Sequence, residues 1–221
     1  MGKYNSVWII IPIICALLAV YGFGMFFSFG VALSCIVILC IVYNMKRRKE
    51  IWIFIAALLF SIIGDWFLSH RKGIPIRFIY GIICFFVAHL GYLWFSLKNG
   101  KINKKVLYVI LVAYLVFFFL LIYPYIDDKI LIAAVLSYLL ISCVSFATAA
   151  GIRFPILSKC LFVSGLASIL FSDTIIAFRE FAGINESNFL IMPTYYLSHI
   201  LMTLALILTA NNEKNHQINT N

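Results

Sequence analysis

Eight nearly unbroken apolar stretches alternate with short polar or turn-forming breaks along the chain, at roughly 7–22, 25–43, 51–68, 78–97, 106–123, 130–150, 160–178 and 189–210. A helix needs roughly 20 apolar residues to cross the hydrocarbon of a bilayer. A membrane barrel would instead alternate polar and apolar positions over segments of about 10 residues. The pattern therefore predicts an all-α integral membrane protein, a single bundle of about eight transmembrane helices over 1–210. The softest break lies at Gly22 and Gly24; without a turn there, the first two stretches merge and seven helices remain. The polar segment 211–221, NNEKNHQINTN, is expected to be a disordered tail.

Composition strengthens this picture. Hydrophobic residues make up 64% of the chain and charged residues 11%, against about 45–50% and about 25% in soluble domains. The formal charge of +9 is not a nucleic-acid signature, because the Lys and Arg residues fall in short loops rather than on one soluble face. Divided between the two sides of an eight-helix topology, they count 12 against 5. The richer side holds Lys46, Arg47, Arg48, Lys98, Lys101, Lys104, Lys105, Arg153 and Lys159 among others, which places both termini in the cytoplasm. A bacterial inner membrane is the expected location. The N-terminal stretch lacks a small-residue cleavage site and reads as a retained helix. Gly2 and Ser6 match a myristoylation pattern, of little use to a protein already integral. The six cysteines form no C-x-x-C and read as packing residues. No cofactor and no bound metal are expected.

Six of the eight acidic residues fall in loops, helix ends or the tail. Asp65, in SIIGDWFL, and Asp173, in SILFSDTI, are the exceptions. At about 1.5 Å per residue they lie roughly 20 Å into the third and seventh helices. Both helices run outward, so the acids share a level in the outer half of the membrane. A charged Asp at a helix centre costs about 2.5–3.5 kcal/mol, so both should face the bundle interior. Each Asp also has a purely structural reading, hydrogen-bonding a neighbouring helix; an intramembrane acid is nonetheless a functional candidate first.

Other polar residues share those faces. His89 stands in a stripe with Gly81, Phe85 and Tyr92, and His199 in one with Tyr195, Tyr196 and Thr203. Ser61 precedes Asp65 by one turn and Ser172 adjoins Asp173, so both are candidates to orient the carboxyls. Ser164, Ser168 and Ser172 form an i+4 ladder beside Gly165, the kind of small-residue surface that lets helices approach. An acid followed by a mid-helix His occurs twice, 24 and 26 residues apart. Two parallel four-helix halves would bring these pairs face to face.

The order Ser61-x-x-Gly64-Asp65, Phe78-x-x-Gly81-x-x-x-Phe85-x-x-x-His89-x-x-Tyr92, Phe171-Ser172-Asp173 and Tyr195-Tyr196-x-x-His199 resembles the YhhN-like lysoplasmalogenase family, over about 51–205. His199 stands where that pattern commonly has Gln. The resemblance implies hydrolysis of the vinyl ether bond of lysoplasmalogen, a lysophospholipid, to a fatty aldehyde and glycerophospho-ethanolamine or -choline. It implies Asp65 and Asp173 as the catalytic pair, without cofactor, in contact with membrane lipids.

The chemistry suits the residues independently. A proton delivered to the β-carbon of a vinyl ether leaves an oxocarbenium ion, which adds water and collapses to aldehyde and alcohol. One protonated acid and one carboxylate are required, as in glycosidases, and a buried carboxyl pair supplies both near neutral pH. Which Asp is the acid is open at this point. Arg71, Lys72 and Arg77 are candidate contacts for the phosphate. Two alternatives compete: a metal-dependent lipid hydrolase, with Asp65, Asp173, His89 and His199 gathering zinc, and a proton-coupled transporter using the same groups as a relay. No compact metal motif appears, and no helix is broken at its midpoint by Gly or Pro, as many transporter sites require.

Overall fold

Two glycines decide the helix count. Gly22 and Gly24 adopt φ of 83° and 105° in the computed structural model, a left-handed region open to glycine and strained for other residues. The chain turns there, separating α1 (Ile10–Val20) from α2 (Met25–Asn44). The remaining helices are α3 (Lys49–Ser69), α4 (Pro75–Lys98), α5 (Lys104–Phe117), α6 (Lys129–Ala149), α7 (Ile156–Ala177) and α8 (Ile191–Asn219). The structure describes residues 6–44 and 49–219. Gly2, Lys3 and the basic residues Lys46, Arg47 and Arg48, on which the myristoylation and part of the orientation reading rest, lie outside them.

Among the described residues seven helices are long and apolar enough to cross a membrane, and the Ser6–Val20 segment is a shorter apolar helix. The protein is an all-α integral membrane protein. Among the described residues the one β-bridge is isolated, between Gly100 and Ile152. Helices dominate because lipid offers backbone groups no partner, and a helix satisfies its own. Boundaries shift locally. α5 is prolonged by a π turn (Phe118–Ile122) and a 3-10 turn (Tyr123–Tyr125), and α7 by a π turn (Phe178–Ala182). α8 runs past the boundary expected at 210. Asp128 caps α6, accepting from the Ile130 N–H at 2.8 Å, and Asn103 caps α5 through the Val106 N–H at 3.2 Å.

Six helices close a ring in the order α2, α3, α4, α6, α7, α8, with α3–α4 and α7–α8 the most extensively packed pairs. α1 lies outside against α2 and α8, and α5 outside against α6. Moving four helices along the chain maps this arrangement onto itself: α2 to α6, α3 to α7, α4 to α8, and α1 to α5. The two four-helix halves are therefore parallel repeats about an axis through the ring, the arrangement that the paired acid–histidine spacing suggested. α3 and α7 stand opposite one another across it.

One end of the ring is tied shut. The Lys101 N–H donates to Gly151 O at 3.2 Å, Arg153 N–H to Asn99 O at 2.9 Å and Asn103 N–H to Ala147 O at 3.0 Å, lacing the α4–α5 loop to the α6–α7 loop. The other end, where α3 and α7 finish and α4 and α8 begin, holds the cavities that reach Asp65 and Asp173.

Candidate active site

Asp65 and Asp173, from opposite helices of the ring, line one cavity of about 260 Å³. They are close enough to interact electrostatically, and each is half-buried. The cavity lies at the end of the bundle that loop charge assigned to the outer face, at the common level that helix position predicted.

Their surroundings differ. The Tyr138 hydroxyl of α6 donates to Asp173 Oδ2 at 2.6 Å. Ser142, one turn along, back-bonds to the Tyr138 carbonyl at 2.8 Å. Asp65 instead has Tyr195 beside it, whose hydroxyl makes no hydrogen bond of standard geometry. The Tyr195 ring packs edge-on to His199 at 4.5 Å and to Phe85 at 6.2 Å. The repeat relation explains why the partners differ. It maps α6 onto α2, which carries no tyrosine before Tyr43 in its last turn.

Ser61 and Ser172 do not orient the carboxyls. Ser61 Oγ donates to Ala57 O at 3.1 Å and meets the Tyr92 hydroxyl at 3.3 Å. Ser172 Oγ donates to Ile191 O at 3.0 Å, fastening α7 to the start of α8. A serine side chain is short and finds a nearby carbonyl first. The serine ladder also divides: Ser164 is exposed and Ser168 half-buried, while Ser158, Gly165 and Ser172 are buried. A seven-residue stride stays on one helix face better than a four-residue stride does.

His89 is buried, edge-on to Tyr138 at 5.3 Å and Tyr92 at 5.8 Å, and both its ring nitrogens are unpartnered. It therefore backs the tyrosine that holds Asp173. His199 Nδ1 lies 3.0 Å from Tyr195 O, and its Nε2 is unpartnered. Tyr196 is buried in the core beside Tyr195 and does not line the cavity. Among the described residues no three His, Cys, Asp or Glu side chains converge as metal ligands do. The zinc set of Asp65, Asp173, His89 and His199 is thus not assembled.

Asp173 stands at a junction. Two small cavities, about 60 and 70 Å³, also reach it and Tyr138. One runs between α5, α6 and α7 past Phe117 and Leu139, and the other runs past Leu68, Ile82 and Phe85. Both are apolar. At the mouth of the acid cavity stand Arg179, on the π turn after α7, and Asn188. Glu180 separates two cations, with Oε2 2.7 Å from Arg71 Nη1 and Oε1 2.7 Å from Arg179 Nη2. Of the cations expected at this end, Arg71 also packs over the Phe78 ring at 4.9 Å and Arg77 donates to His70 O. Lys72 is exposed. Arg71 lines a separate vestibule of about 410 Å³ with Asp127 and Asp128.

Fold and site together define a polytopic helical membrane protein built as two parallel halves, with one carboxyl from each half facing a shared cavity. The sequence model of the YhhN family matches residues 25–206, more than half of the chain. The chain belongs to that family. Comparison with curated proteins and with solved structures returns no match.

Sequence reasoning missed Tyr138, Arg179 and Asn188. The Tyr138–Ser142 pair on α6 was a signal, a polar i, i+4 step like Ser61–Asp65.

Proposed function

We propose that the protein is a membrane-embedded ether hydrolase that cleaves the vinyl ether bond of lysoplasmalogen, releasing a fatty aldehyde and a glycerophospho-alcohol. The observation that carries this reading is the junction at Asp173: a polar cavity shared with Asp65 meets two apolar slots beside a carboxyl. A single-chain lipid has the same division, and its vinyl ether lies where headgroup and chain meet.

The unequal surroundings divide the labour. A hydroxyl-to-oxygen distance of about 2.5–2.7 Å is that of a bond to an ionised acceptor, and Tyr138 meets Asp173 at 2.6 Å. We assign Asp173, to which Tyr138 donates, as the carboxylate, and Asp65, whose neighbour Tyr195 makes no hydrogen bond of standard geometry, as the group that carries the proton. Asp65 protonates the β-carbon, and the vinyl π electrons form the new C–H bond. The resulting oxocarbenium ion is stabilised by the Asp173 carboxylate. Water adds at the α-carbon and gives its proton to Asp173. The hemiacetal then collapses: Asp65 takes its hydroxyl proton, the C–O bond to glycerol breaks, and Asp173 gives its proton to the glycerol oxygen. Asp65 is left protonated and Asp173 ionised for the next turn.

Purified protein incubated with lysoplasmalogen and with its saturated ether analogue tests the reading. Aldehyde should form from the vinyl ether alone, with and without chelator. Absence of aldehyde from the vinyl ether, or release from both substrates, would overturn it. Tyr138→Phe removes the donor to Asp173 and should lower kcat by about 10- to 100-fold, from a charge-assisted bond of about 1.5–3 kcal/mol. KM should change little, because phenylalanine keeps the ring that lines the apolar slots and only the hydroxyl on the carboxylate is lost.

A further inference from the structure

Resting on that reading of the site, we propose that Arg179 binds the phosphodiester of the substrate, with Asn188 beside it, so that the π turn closing α7 recognises the headgroup. The Asp173 carboxylate in this small cavity repels an anionic phosphodiester, so the phosphate needs a cation at the same mouth. Two arginines stand at this end of the bundle near Glu180. Only Arg179 lines the cavity that holds Asp65 and Asp173; Arg71 lines the vestibule on the other side of Glu180.

Glu180 does not exhaust Arg179. A guanidinium has five N–H donors in a fork that fits phosphate oxygens, and Glu180 offers Arg179 one oxygen, Oε1, while Oε2 serves Arg71. The carboxylate thus holds the guanidinium at the mouth and leaves donors for a ligand. Asn188 Nδ2 donates to Asn185 Oδ1 at 2.9 Å, while its own Oδ1 is buried and unpartnered, an acceptor available to a glycerol hydroxyl or a headgroup ammonium.

The spacing suits the substrate. Asp173 and Arg179 are six residues apart on one helical run, an axial rise of about 9 Å. An extended lysoplasmalogen covers that span between its vinyl group and its phosphorus. One end of the substrate is then fixed at Arg179 while the vinyl group lies between the carboxyls, and the alkyl chain enters the apolar slots. A free phosphate meets the same guanidinium but gains nothing from the slots.

The test compares lysoplasmalogen with a phosphate-free 1-O-alkenylglycerol, both in mixed micelles, for the wild type, Arg179→Gln and Arg179→Lys. Arg179→Gln should raise KM for lysoplasmalogen about 10- to 100-fold, the size of a lost charge-assisted bond. It should change KM for the alkenylglycerol less than about twofold, and Arg179→Lys should fall between. Equal losses on both substrates, or none on the phospholipid, would overturn the assignment.

Binding of the saturated ether lysophospholipid and the matching alkylglycerol is measured alongside, since it does not depend on cleavage. If the wild type prefers the phosphate-bearing ligand and Arg179→Gln abolishes the preference, the anion site stands even where no aldehyde forms and the hydrolase reading fails. If the wild type cleaves lysoplasmalogen but the preference survives in Arg179→Gln, the anion site alone is lost. Displacement of the lysophospholipid by equimolar inorganic phosphate would show a phosphate site rather than a headgroup site and would also overturn the proposal.

Discussion

Replacing either carboxyl with its isosteric amide, Asp65→Asn or Asp173→Asn, should lower kcat for aldehyde release by about 10²- to 10⁴-fold, the usual contribution of a positioned acid or base. The two losses arise differently. The Asp65→Asn variant cannot deliver a proton to the β-carbon. The Asp173→Asn variant can neither offset the charge of the oxocarbenium ion nor accept the proton from water. In the proposed reaction the pair acts as a unit on one intermediate, so the double variant should be little worse than the poorer single one. Steady-state rates of aldehyde formation for the wild type, both single variants and the double variant check this. Wild-type rates in either single variant would remove that Asp from the mechanism. The fold should survive both changes, since each Asp is half-buried beside a cavity and the amide keeps its shape.

Gly165→Val should lower stability by driving α7 and α8 apart. A Cβ at Gly165 would lie 2.6 Å from Met202 Cγ and 2.9 Å from the Ser198 carbonyl oxygen of α8. The side chain of Met202 can move, but the backbone oxygen cannot without separating α7 from α8. Overpacking of this kind costs about 1–3 kcal/mol, occasionally more. Separation would also stretch the 3.0 Å bond from Ser172 to Ile191 O, so activity should fall together with the unfolding midpoint in detergent. Ser164→Ala, one residue earlier on an exposed face, should stay within about 0.5 kcal/mol of the wild type. Equal midpoints for Gly165→Val and the wild type would refute the close packing of these helices.

Particular residues mark how far the sequence could be read. Asp65 and Asp173 stood out because a carboxyl inside an apolar run is costly in lipid, and two at one depth suggested a shared site. Tyr195 followed from its place on the His199 stripe. Tyr138 was hidden because a tyrosine in a membrane helix is ordinary, and its meaning depends on a partner 35 residues away. Arg179 was hidden because a cation at a helix end reads as an interfacial anchor wherever it occurs. Ser61 and Ser172 were correctly placed in sequence and misjudged in role, since a neighbouring carbonyl outcompetes a more distant carboxyl for a short hydroxyl.

The sequence by itself determined the class, the helices and the two acids, because each follows from the local cost of placing a residue in hydrocarbon. It also suggested the two-fold repeat. Only the tertiary structure decided the order of the ring, the cavity and the inequality of the two carboxyls. The physical reason lies in the solvent. Lipid tails are as apolar as leucine, so a helix that is apolar on every face does not announce which face it buries. Neighbours are then chosen by shape, by small residues such as Gly165 and by a few hydrogen bonds, and those choices set Tyr138 against Asp173.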